Sequence, residues 1–249
     1  MQAAEHPDLE RFLGNAAGLV ADHLDVDRLL QLARPLRLEG GRGNCPPLAP
    51  LGQRIAVAVD KAFAFSYASV IDGWRKAGSE IVPFSPLADE TPVAGADAVY
   101  LPGGYPELHA GRLAAAANFL DGLRARAAAG AAVFGECGGY MVLGRALTDA
   151  SGVRHAMAGL LGLETSFAER RLHLGYRRVT TLAESPLGRA GAGFRGHEFH
   201  YSAVLAEGGD AGLGRPLFQA ADAEGKDLGP VGLADGRVAG SFLHLIDRE

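Results

Sequence analysis

Val133-Phe134-Gly135-Glu136-Cys137-Gly138-Gly139-Tyr140 is the stretch on which the reading of this chain turns. The apolar run Ala131-Ala132-Val133-Phe134 has the length and composition of a buried strand, and the segment from Gly138 to Leu147 has a helix pattern. A strand that runs straight into a helix forms an elbow. With glycines on both sides, the elbow projects one side chain from a tight turn, because glycine has no Cβ to clash there. Here that side chain is Cys137. The helix N-terminus is expected to favour a thiolate and lower the thiol pKa below its usual value of about 8.5. The Gly138 N–H is placed to face a developing oxyanion. A lone cysteine is more often a small buried hydrophobe, but the Gly-x-Cys-x-Gly frame after a buried strand reverses that judgement in favour of a nucleophile.

Working outward, Ile55-Ala56-Val57-Ala58-Val59, Glu80 to Phe84 and Asp97-Ala98-Val99-Tyr100-Leu101 read as three earlier strands. Ser66 to Ala77, with Ser66 as the N-cap, and the Ala- and Leu-rich stretch from Pro106 to Gly130 read as helices. Strands alternating with helices predict an α/β fold, a mixed, mostly parallel sheet flanked by helices. Beyond Leu160 the texture changes. Leu172 to Thr181, Glu198 to Leu205 and Val231 to Leu243 are strand-like runs between Gly-rich turns and predict an antiparallel or mixed extension. Before Arg54, residues Pro7 to Leu36 read as helix, with Asp25 and Asp27 as caps between two helices. Glu39 to Gly52, rich in Gly and Pro, reads as linker. The predicted organisation is 1–36 helical, 37–53 linker and 54–249 main domain.

Three further segments carry polar chemistry. Leu101-Pro102-Gly103-Gly104-Tyr105-Pro106-Glu107 follows a strand end, where open α/β sheets place their sites. The amides of Gly103 and Gly104 are candidate partners of Gly138 in an oxyanion hole, against the plainer reading of a turn. In Gly196-His197-Glu198-Phe199-His200-Tyr201-Ser202, alternation puts His197, Phe199 and Tyr201 on one face and Glu198, His200 and Ser202 on the other. That strand does not supply a histidine pair on one face, so no metal site is expected. Substrate contacts by His197, Glu198, Phe199, His200 and Tyr201 are the expectation, with packing of the two aromatics as the alternative. Gly240-Ser241-Phe242-Leu243-His244-Leu245-Ile246-Asp247 holds His244. A thiol attacking an amide needs a group to take its proton and return one to the departing amine, and His244 is the candidate.

Bulk properties bound the partners. A net charge of −5 argues against nucleic acid or an anionic membrane. The N-terminus has no signal-peptide pattern, and no apolar run reaches the roughly 18 residues of a transmembrane helix. The two cysteines, Cys45 and Cys137, are too few for a disulfide framework, so a cytoplasmic setting is expected.

From about Arg54 to Leu245 the chain resembles the C-terminal glutamine amidotransferase part of cobyrinic or hydrogenobyrinic acid a,c-diamide synthases, a family of cobalamin biosynthesis. The resemblance is carried by Leu101 to Glu107, Gly135 to Met141, Gly196 to Ser202 and Gly240 to Leu245. The nucleophile motif is shared with wider class I amidotransferases. The resemblance implies a class I amidotransferase fold with a flavodoxin-like core and a ligase taking its ammonia from glutamine. It gives Cys137 the part of nucleophile, His244 that of base, Gly103, Gly104 and Gly138 the oxyanion hole, and the strand from His197 the glutamine pocket. Many class I relatives carry an acid two residues after the histidine; here that position is Ile246, and Asp247 lies one place further on. The family also implies a preceding synthetase domain that uses ATP and Mg to activate the corrinoid carboxylates. Met1 to Leu36 resembles only the closing helices of such a domain, and no P-loop precedes Arg54. The amidotransferases of cobyric acid synthase and of cell-wall amidating complexes, and a stand-alone cysteine hydrolase, are the alternatives.

Overall fold

The computed structural model describes residues 6–35, 48–208 and 213–249. The chain divides into two units, Met1–Asn44 and Cys45–Glu249. The first holds α1 (Leu9–His23) and α2 (Val26–Leu32). The carboxylates of Asp8 and Asp25 accept the N–H groups of Arg11 and Arg28, each satisfying a donor that helix geometry leaves open. Asp27 lies inside the first turn of α2 and is not a cap. The predicted linker falls largely on residues 36–47 and, with Cys45, lies outside the described residues.

The second unit runs β1 (Arg54–Ala58), α3 (Ala68–Lys76), β2 (Glu80–Phe84), β3 (Ala98–Leu101), α4 (Ala110–Ala115), α5 (Ala117–Ala128), β4 (Ala132–Glu136) and α6 (Gly138–Leu143). Then follow β5 (Ala146–Thr148), β6 (Arg154–Ala156), β7 (Leu163–Ser166), β8 (His173–Thr181), β9 (Gly193–His200), β10 (Ala203–Glu207), β11 (Arg215–Asp222), β12 (Asp227–Asp235), β13 (Val238–Ser241) and β14 (Leu243–Arg248). The main sheet has the order β14-β9-β8-β11-β12-β13-β4-β3-β1-β2. Its block β2-β1-β3-β4-β13 is parallel and the rest is antiparallel, so the sheet is mixed within an α/β fold. A smaller sheet, β10-β7-β5-β6, stands beside it.

Alternation on β1 shows how the sheet is buried on both faces. Ala56 and Ala58 join a core with Leu113, Phe119 and Leu143, whereas Ile55 and Val57 join a second core with Trp74, Phe194 and Phe218. Pro83 lies on the edge strand β2, where its missing N–H costs no ladder bond. Among the described residues no helix is long and apolar enough to cross a membrane.

Several boundaries differ from the sequence expectation. Ser66 is not the cap of α3, whose N-cap is Tyr67 without a side-chain bond. The stretch after Pro106 starts as a 3₁₀ turn and is broken at Ala116 (ψ 76°) into α4 and α5. The helix after Cys137 ends at Leu143, and Ala146–Thr148 is already strand. The run from Glu198 to Leu205 belongs to two sheets, β9 in the large one and β10 in the small one. Apolar periodicity marks these segments but cannot say where tertiary contacts redirect the backbone.

Candidate active site

The elbow is built as its glycines require. Cys137 has φ 48° and ψ −103°, a conformation that a residue with a Cβ adopts only under strain. Backbone bonds hold it there. Its N–H donates to the Ser241 carbonyl at 2.8 Å, its carbonyl accepts from Met141 at 3.1 Å, and the Gly139 N–H donates to Pro102 O at 3.1 Å. A Cβ at Gly135 would stand 2.7 Å from the Gly139 backbone, and one at Gly139 would run into the Leu101 carbonyl. Neighbouring β3 and β4 thus bring Leu101 to Glu107 against the elbow. A Cβ on Gly138 would lie 3.1 Å from the Gly104 nitrogen, so these two amides are neighbours. Gly103, the other expected donor, sits between two neighbours. Its carbonyl accepts from Phe65 N–H at 3.0 Å, and a Cβ there would stand 2.5 Å from His244 Cε1. Glycine at 103 makes room for the imidazole.

Cys137 and His244 line one cavity of about 110 Å³, together with Gly104, Phe199, His200 and Tyr201. Of the strand-borne candidates, then, Phe199, His200 and Tyr201 reach the cavity. His197 and Glu198 do not line it. His197 is the cross-strand partner of His244 and stacks on it, with ring centroids 4.8 Å apart and planes at 16°. Tyr67 O–H holds the far side of His197 through its Nε2, at 2.5 Å. Phe65 packs edge-on against His244 at 4.8 Å. Sequence reading missed Phe65, Tyr67 and Glu107. Glu107 was legible only as the end of the quoted Pro-Gly-Gly segment, and it is the cavity's only carboxylate among the described lining residues.

Electrostatics correct one expectation. Burial pushes the Cys137 thiol up to about 12; the Gly138 N–H pulls it down, but Glu107, Glu136 and Glu198 push it further up. Desolvation outweighs the short helix, because a buried thiolate loses its water while one amide returns only part of that. Burial, reinforced by His197 and His200, holds His244 down at about 3. The resting thiol is therefore neutral, its S–H turned to the Phe199 carbonyl at 3.5 Å, and it shares the cavity with a neutral imidazole able to accept a proton during attack. Iodoacetamide should accordingly alkylate Cys137 slowly at pH 7, with the rate still climbing above pH 9. Full reactivity by pH 7 would instead mean a preformed thiolate–imidazolium pair.

The expected lack of a histidine pair holds along β9 but not across strands. A histidine pair exists, across strands: His173 pairs with His200, and with Glu198 their ligand atoms lie within 4.8 Å of one another. The geometry nevertheless serves hydrogen bonding. The two rings are stacked at 4.5 Å with 1° between planes, so their in-plane lone pairs run parallel and do not converge on an ion. His200 already meets Ser202 Oγ at 3.1 Å and Glu198 at 3.0 Å, and Arg177 donates to Glu198 at 2.8 Å. These bonds hold the Glu198 carboxyl down at about 2 despite its burial.

Comparison with known proteins places the chain in a family. The sequence model of the CobB/CobQ-like glutamine amidotransferase domain matches residues 54–249. The chain is 54% identical over 248 residues to the hydrogenobyrinate a,c-diamide synthase of Brucella anthropi, covering 99% of this chain and 55% of that protein. It is 53% identical over 251 residues to that of a Sinorhizobium species, with the same coverage of each. The chain spans about half the length of the curated relatives it matches. Among solved structures, PurLQS from Thermotoga maritima is similar in fold, with a TM-score of 0.50 at 16% identity over 78% of this chain and 86% of that one.

Proposed function

The chain belongs to the family of CobB/CobQ-like glutamine amidotransferase domains, and on that footing we propose that it is the glutaminase part of an enzyme that amidates the a and c carboxylates of cobyrinic or hydrogenobyrinic acid. The observation that carries the reading is the elbow cysteine sharing a cavity with His244 beside the adjacent amides of Gly104 and Gly138.

The chemistry follows from those groups. Glutamine enters with its side-chain amide over Cys137 and its α-ammonium toward Glu107, while Phe199, His200 and Tyr201 line the pocket. The sulfur attacks the amide carbon as His244 takes the thiol proton, and the Gly138 and Gly104 N–H groups receive the oxyanion. Collapse breaks the C–N bond, His244 returns its proton to the nitrogen, and ammonia leaves. Water, deprotonated by His244, then cleaves the γ-glutamyl thioester to glutamate and restores the thiol.

Forming an amide from a carboxylate and ammonia is uphill in water, so the acid must be activated. We assign that step, with its ATP and Mg, to a synthetase domain in the length of the relatives that this chain does not span. Gly40-Gly41-Arg42-Gly43, the one glycine cluster before Arg54, has no Gly-Lys-Ser or Gly-Lys-Thr and lies outside the described residues. The corrinoid would sit on that synthetase domain, and a cytoplasmic setting fits the sparse cysteines. Steady-state glutamine hydrolysis, with and without a separately supplied synthetase domain, tests the assignment. The expected result is little or no hydrolysis by the chain alone and a rise when the domain is added. Calorimetry with Mg-ATP should give no binding heat from this chain, and a micromolar heat would overturn the division of labour.

A further inference from the structure

Glu136, the residue before the nucleophile, is 3% exposed and has no part in the chemistry above. Both of its oxygens accept hydrogen bonds. Oε2 takes the Tyr100 O–H at 2.7 Å, and Oε1 takes the Leu245 N–H at 3.1 Å. Tyr100 is on β3, next to β4. Leu245 follows His244 directly on β14, which pairs with β9 on its other side, and that ladder shifts register after Leu245. Leu245 is 1% exposed. Without the carboxylate its N–H would be a buried donor with no partner, which folded proteins rarely tolerate.

We propose that Glu136 is a positioning residue: its carboxylate ties the backbone beside His244 to the strand that delivers Cys137, and so sets the approach of base to thiol. This rests on the reading of Cys137 and His244 as the reacting pair. The tie takes the place of the missing acid, acting on the backbone next to the imidazole and not on the imidazole itself. It has a second consequence, because the carboxylate brings charge close to the thiol. The other titratable groups around Cys137 are Glu107 from the turn before α4, Glu198 from β9, and Tyr105, His200, Tyr201 and His244 on the cavity wall. Tyr100 bonds Glu136, and Tyr67 lies within reach of its charge. Burial raises Glu136 itself to about 7, with the Tyr100 and Leu245 bonds opposing the rise.

Two variants separate tie from charge. E136Q keeps an acceptor for Leu245 N–H and a donor toward the Tyr100 oxygen but removes the charge. E136D keeps the charge on a side chain one methylene shorter. With iodoacetamide as probe, E136Q should alkylate at Cys137 severalfold faster than wild type at pH 9, where the wild-type carboxylate is charged and the thiol is still protonated. E136D, which keeps the charge, should alkylate at a rate close to that of wild type. With glutamine and the synthetase domain supplied, E136Q should hold kcat within about tenfold, and E136D should lose about 100-fold in kcat at little changed KM. Thermal melting checks that both variants fold. An unchanged alkylation rate in E136Q, or equal losses in the two variants, overturns the proposal. Alkylation needs no glutamine, so a wild-type protein that never turns glutamine over would refute the functional reading and leave this test standing.

Discussion

Cys137→Ser lowers glutamine hydrolysis by roughly four to six powers of ten, the scale seen when a covalent nucleophile is removed and only binding and the oxyanion donors remain. The hydroxyl occupies the same strained position, so the elbow, with φ 48° at its centre, is retained. What disappears is nucleophilicity. His244, held near 3, is a weak base, and the gap it must bridge to a serine hydroxyl is wider than to a thiol. Substrate binding should survive, so KM changes little while kcat collapses. The measurement is steady-state glutamate release with the synthetase domain supplied, paired with labelling by a diazo-ketone analogue of glutamine. The label should be found on Cys137 by mass spectrometry and be absent in the variant. A label on Cys45 would sink the assignment.

His244→Ala should lower kcat by about 10²- to 10⁴-fold, the usual contribution of a positioned general base, whereas Asp247→Ala should cost only a few-fold. The difference follows from placement. His244 is 2% exposed, lines the Cys137 cavity, and is braced by His197 and Phe65. Asp247 comes after the register shift in β14 and lines a different, larger groove of about 610 Å³ with Tyr176, Arg178 and Arg195. That larger groove does not include the cysteine. If Asp247→Ala were as damaging as His244→Ala, a triad using that acid would have to replace the present account. The acid limb of activity gives a second check. A base held near 3 stays neutral through pH 5, so protonation of His244 should not itself cut the rate between pH 7 and pH 5.

By itself the sequence determined what depends on neighbours along the chain. The apolar runs at β1, β3 and β4 and the helix patterns between them dictate a parallel α/β block, because periodicity and strand length are local properties. The Gly-Glu-Cys-Gly-Gly frame dictated the elbow, since a positive φ at a residue with a Cβ needs glycines where the turn closes on itself. The tertiary structure decided what depends on burial and on strand pairing. The pKa of Cys137 was misjudged from sequence because a helix N-terminus is visible there and desolvation is not. His173 and His200 meet because β8 and β9 pair antiparallel, and alternation along one strand cannot disclose a partner on the next. The Glu136 tie joins residues 109 positions apart, and only the folded sheet places the acid before Cys137 against the amide after His244.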